Sequence, residues 1–425
     1  LPILEDEDQT ISYPTIKTQA TDAASGTQVG VRSKKDTIKD IVSYTGFSKG
    51  ETYVVKGKLM DQNSGKAILN DGKEITSEVK FTAKKADDSV ETSFTWDSTG
   101  YKGTAVVYQS VYLLKNGKEY PVIEATNISD EKESVYYPSI STSAKDGKTR
   151  DHVGTVGKTT IVDTVSYTNL KIGQEYTVSG KLMDKDTKEV FLVNGKEVTA
   201  SVTFKAEKKN GTVDLVYTLD ASALEGKTLV VFEDLLHKKL NVASHHDISD
   251  EEQSVHYPKI RTTATDTNTK DHVGVSTENG TIVDTVAYKN LVPGKNYTLK
   301  GTLMDKETKE AIQQNGKAVT AETSFTPSKA SGTVDITFTL DTSVLEGKTI
   351  VAFEKLLHNK VEVTSHEDIS DEGQSVKIPQ IHTTATDSQT KDKEGVISEE
   401  TKLTDVVSYK NLLPGKEYTV KGTVM

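Results

Sequence analysis

Five polar residues recur in the same order in two stretches of this chain: Thr142, Asp163, Glu233, His245 and Gln253, then Thr262, Asp284, Glu354, His366 and Gln374. The Thr-to-Gln separations are 111 and 112 residues. A Thr hydroxyl is a weak nucleophile and needs a neighbouring base to take its proton. An imidazole, titrating near neutrality, suits that work. A primary amide is a poor electrophile. Two adjacent carboxyls resist double ionisation, so a proton shared by Asp163 with Glu233, or by Asp284 with Glu354, could polarise the Gln carbonyl. Glu233 and Glu354 each close an apolar run, 230–232 and 351–353, where a lone carboxylate is costly.

The elements that must hold these residues come from a repeat. Thr18, Thr142, Thr262 and Thr383 open similar phrases, spaced by 124, 120 and 121 residues. The boundaries are expected at 1–136, 137–256, 257–376 and 377–425, with the last repeat stopping mid-pattern at Met425, as a fragment would. Short alternating runs predict strands, in repeat three at 281–288, 297–304, 320–325, 332–340, 349–356 and 366–376, after an opening strand at Thr262. Turn chemistry separates them, as at Pro293-Gly294 and Asn315-Gly316. Residues 223–226 and 344–347 could each form one helical turn. Each repeat has the size of an immunoglobulin-like sandwich. The joints are short, with nine residues from Gln253 to Thr262, and predict a semi-rigid rod.

Composition agrees with an all-β chain. Of 425 residues 34 % are apolar, Tyr (17) outnumbers Phe (9), and Trp96 is the single Trp. A net charge of −11 without a basic run gives no support to nucleic-acid binding or attachment to anionic lipid. No apolar stretch reaches membrane-spanning length, and residues 1–6 do not read as a signal peptide. There is no Cys, so a disulfide staple is not an option.

The phrases Val231-Phe232-Glu233 and 365–374, Ser-His-Glu-Asp-Ile-Ser-Asp-Glu-Gly-Gln, resemble the VaFE-type ester-bond domains of Gram-positive surface adhesins. The resemblance implies tandem CnaB-like sandwiches. It also implies an autocatalytic ester between a first-strand Thr and a last-strand Gln, assisted by Asp, Glu and His, with loss of ammonia. Carried over, the cross-links are Thr142–Gln253 and Thr262–Gln374. A stalk of a cell-wall-anchored adhesin follows, monomeric and free of cofactors, whose host ligand binds another region. Tandem modules that bind a host protein or glycan directly are the alternative.

Repeat one keeps Thr18 and Asp40, but Gln109 stands at the Glu position, Ala125 at the His position and Glu133 at the Gln position. No Thr18 ester is expected there. Repeat four has Thr383 and Asp405 only. Taken singly, Thr142 would read as a plain β-former and Gln253 or Gln374 as surface positions. The run His245-His246-Asp247 with Asp250-Glu251 suggests a metal cluster, but repeat three has Glu367 in place of His246, and no metal is expected. The Asp151-His152-Val153-Gly154 phrase reads as a turn, and His237 and His358 as solvated strand ends.

Overall fold

Alternation along each strand decides which residues face inward. In Lys158–Thr168, Thr159, Ile161, Asp163, Val165 and Tyr167 are buried while the residues between them are half-exposed. This is the period of a sheet with one wet face. The computed structural model describes residue 11 and residues 13–425; residues 1–6, read above as no signal peptide, lie outside them.

Repeat two has two antiparallel sheets. The first orders Ser139–Asp146, Lys158–Thr168 and Gly211–Asp220. The second orders Thr199–Lys205, Glu175–Asp184, Thr228–His237 and Leu240–His245, with the last strand Ser254–His256 also on Thr228–His237. Repeats one and three have the same plan. The inner faces meet in a core, built in repeat two around Ile161, Val165, Tyr176, Leu182, Tyr217 and Val231, and divided in repeat one into a cluster around Ile38, Phe94 and Trp96 and another around Val42, Tyr44 and Phe47. The first strand closes against the segment before the last one, through Ala144 N–H to Glu252 O at 2.8 Å and Ala264 N–H to Gly373 O at 2.9 Å.

Three sequence expectations need correcting. The run expected as one strand over 366–376 is two, Val361–His366 and Ser375–Lys377, because the intervening Asp-rich turn folds on its own side chains, with Asp368 Oδ1 accepting from Ser370 N–H. Residues 418–425 correspond by spacing to strand Tyr297–Asp305 of repeat three, but residues 411–425 form no strand, and Ile381 and Tyr409 stay 61 % and 68 % exposed. His237 and His358 are buried, not solvated. Each is fixed through Nδ1 to a backbone carbonyl, of Glu175 and Asn296, and reaches the preceding repeat through Nε2, to Thr27 Oγ1 and Asp151 Oδ2, both at 3.1 Å.

The joints share one device. Asn169, Asn290 and Asn411 all hold positive φ, at 61°, 62° and 66°, a region Asn tolerates. Each Nδ2 donates to one carbonyl of the preceding repeat and to one at the joint, for Asn290 those of Lys227 at 2.7 Å and Tyr257 at 3.2 Å. Each Oδ1 accepts from a Thr of that repeat: Thr104, Thr228 or Thr349. Asp151, read from sequence as part of a turn, takes Lys295 of repeat three at 2.9 Å.

Candidate functional site, a buried threonine–carboxyl–glutamine cluster

In repeat two, strand pairing puts Val165 opposite Thr142 and Asp163 opposite Ala144, so the hydroxyl and the carboxyl are diagonal neighbours on the inner face. From the facing sheet, Glu233 projects into the same core, paired in register with Gly180 on one side and His245 on the other. Gly180 has to be Gly: a Cβ there would collide with Tyr217 Oη. Gly301 keeps the corresponding space for Phe338 in repeat three. Gln253 arrives from the segment before the last strand, anchored by Val231 N–H donating to its backbone carbonyl at 3.1 Å.

Asp163, Glu233 and Gln253 are fully buried and Thr142 is 8 % exposed. Gln253, which alone would read as a surface residue, donates from Nε2 to Val231 O and to Glu233 Oε2, both at 2.7 Å. Gln374 repeats this, with Nε2 donating to Ala352 O at 2.7 Å and to Glu354 Oε2 and His366 O, each at 3.1 Å. The sequence suggested that the carboxyl pair polarises the amide carbonyl. The geometry puts the amide nitrogen on the Glu, because a backbone carbonyl is acceptor-only and demands the N–H side. The amide carbonyl oxygens of Gln253 and Gln374 are buried without partners, as are the hydroxyls of Thr142 and Thr262. Such atoms are rare in folded cores.

Electrostatics sorts the carboxyls. Burial pushes Glu233 up to about 10, reinforced by the Asp163 charge, and Asp163 itself up to about 6. Glu354 is likewise pushed to about 10 and Asp284 is raised, again by burial first. Near neutrality the Asp163–Glu233 pair therefore holds one proton. Each His has its Nε2 on an Asp from the following turn, His245 on Asp250 at 3.2 Å and His366 on Asp371 at 3.4 Å, while Nδ1 is buried without a partner. Burial and then the Arg261 charge hold His366 below the ordinary imidazole range. His246, the other member of the suspected metal cluster, turns away to Asp234 at 3.2 Å. Sequence reading gave Asp250 only as part of a suspected metal cluster and gave Asp371 no role, although their five-residue spacing from the His recurs. It also missed Tyr217, whose buried hydroxyl faces Glu233 and Asp163.

A sequence model of the T-Q ester bond containing domain matches residues 14–137, 138–257, 258–378 and 379–425. The chain belongs to that family. A bacterial adhesin from Mobiluncus mulieris containing intramolecular disulfide, isopeptide and ester bond cross-links is similar at 15 % identity, over 64 % of this chain and 97 % of its own, with TM-score 0.28. The C-terminal domain of the Streptococcus agalactiae AgI/II polypeptide BspA is similar at 10 % identity, over 55 % of this chain and 100 % of its own, with TM-score 0.30. Comparison with curated proteins returns no match.

The other two T-Q ester bond domains lack the full set. In repeat one the register places Gln109 opposite Gly57 and Ala125, the site held by Glu233 in repeat two, and Glu133 is buried where Gln253 lies. Thr18 and Asp40 keep their diagonal relation. In repeat four, Thr383 and Asp405 share a two-stranded sheet and are exposed.

Proposed function

We propose that this chain is the stalk of a cell-surface adhesin, hardened by two self-made esters, Thr142–Gln253 and Thr262–Gln374. The observation that carries the reading is the seat of Gln253 and Gln374: fully buried, each with its amide nitrogen on a Glu that faces the Asp and Thr of the opposite sheet. The Thr oxygen attacks the Gln Cδ, with His245 or His366 taking the hydroxyl proton through its free Nδ1. The nitrogen lying against Glu233 or Glu354 takes up the proton of that carboxyl and departs as ammonia, and the His passes the hydroxyl proton back to the carboxyl. The fold holds the partners together at an effective molarity of roughly 10⁵ M or more. Repeats two and three each react once, without turnover, and the step needs no cofactor and no metal.

A first-to-last-strand tie also suits a stalk, since tension enters a tandem domain at one end and leaves at the other. Anchoring to the cell wall, a monomeric state and a host ligand held by another region complete the proposal. The alternative, direct binding of a host protein or glycan by the sandwiches, would be favoured by long variable insertions, which the sequence does not have. The test is the intact mass of the denatured chain. Each ester lowers it by about 17 Da relative to the sequence. The deficit is expected to shrink by that amount in Thr142→Ala and again in Thr262→Ala. A mass equal to the sequence mass would overturn the reading.

A further inference from the structure

Repeat one keeps Thr18 and Asp40, has Gln109 for the Glu and Glu133 for the Gln, and loses the His to Ala125. A further change accompanies these. Directly across the sheet from Asp40 stands Thr92, fully buried, whereas Asp163 and Asp284 face Leu215 and Ile336 at that place. Gln109 Nε2 donates to Asp40 Oδ2 and to Thr92 Oγ1, each at 2.6 Å. Gln109 Oε1, Asp40 Oδ1 and both Glu133 oxygens are buried without partners. A network that existed only to satisfy itself would not leave four such atoms.

We propose that Thr92 and Gln109 form an ester in repeat one, tying strand Asp88–Trp96 of one sheet to strand Gly103–Lys115 of the other. It rests on the ester reading of repeats two and three but uses a different nucleophile and a different Gln. Thr92 Oγ attacks Gln109 Cδ; the C–O bond forms, the C–N bond breaks, and the hydroxyl proton passes by way of Asp40 to the nitrogen, which leaves as ammonia. Oxidant and co-reactant are not needed. Asp40, in contact with the departing nitrogen, does the base's work that Ala125 does not. Burial sets the two carboxyls apart, Glu133 at about 8 and Asp40 at about 6, so near neutrality an acid and a carboxylate coexist in the cluster. Thr18, the nucleophile by position, faces Glu133, whose conversion would have to expel water.

Intact mass of the denatured full chain, with Thr92→Val and Thr18→Ala variants, tests the assignment. Trp96, buried in repeat one, reports by fluorescence that each variant is folded. Cleavage after Lys85, Lys102 and Lys115 separates Thr92, in peptide 86–102, from Gln109, in peptide 103–115. The expected result is a deficit of three ammonias, about 51 Da, with those peptides joined. The third loss should vanish in Thr92→Val and persist in Thr18→Ala. A deficit of about 34 Da would overturn this proposal and leave repeats two and three standing. A third loss that survives Thr92→Val would overturn the choice of nucleophile. No deficit at all would overturn both readings.

Discussion

Glu233 and Asp163 come from opposite sheets of one sandwich and meet in its core as a pair that holds a single proton near neutrality. An isolated buried carboxylate would cost several kcal/mol, so the shared proton is what makes the site compatible with folding. Glu233→Gln removes the shared proton while keeping the shape. The variant should fold but leave repeat two open, with the mass deficit smaller by about 17 Da and repeat three unaffected.

The same pair sets a pH window for maturation. Chain kept in urea from lysis onward and then refolded at a series of pH values should close repeat two fastest between the two ionisations. The rate rises through about 6 as the pair loses its first proton. It falls through about 10 as the second leaves. Mass sampled over time gives the rate; a profile flat from pH 5 to 9 would remove the carboxyl pair from the mechanism.

Closing a loop of about 110 residues lowers the entropy of the unfolded chain by an amount worth roughly 4–5 kcal/mol. Thr142→Val, which keeps the volume and removes the nucleophile, should destabilise repeat two by about that much. Hydrogen exchange resolved by peptide should show the loss within 137–256 and unchanged protection in 257–376.

Repeat one should weaken as pH rises. Burial raises Glu133 from its ordinary 4.5 to about 8, so the folded repeat binds more protons than the unfolded one between those values. The stabilisation is full below the ordinary value and is lost as pH climbs to about 8, a change on the order of a few kcal/mol. Denaturant titration read through Trp96 should follow that slope, and Glu133→Gln should flatten it.

Asn290 fixes repeat three on repeat two with one side chain. Asn290→Gly preserves the positive φ and deletes the clamp, so each sandwich should keep its stability to within about 1 kcal/mol. Residual dipolar couplings should then require separate alignment tensors for the two repeats, where the parent chain needs one.

The sequence alone carried the repeat, most of the strands and the recurrence of the Thr, Asp, Glu, His and Gln set, because sandwich strands alternate with period two and the same phrases return every 120 to 124 residues. Thr320–Phe325 and Gly332–Leu340 could be bounded from sequence because their inward and outward residues differ in polarity. The mixed phrase after His366 could not, since its Asp and Ser side chains compete with the backbone for hydrogen bonds. Burial of Gln253, His237 and His358, and the contact of Gln109 with Thr92, were decided by tertiary structure alone. Those four facts depend on which faces of two sheets and of two consecutive repeats come together. A polar residue on a strand has the same local signature whether water or a second sheet lies opposite it.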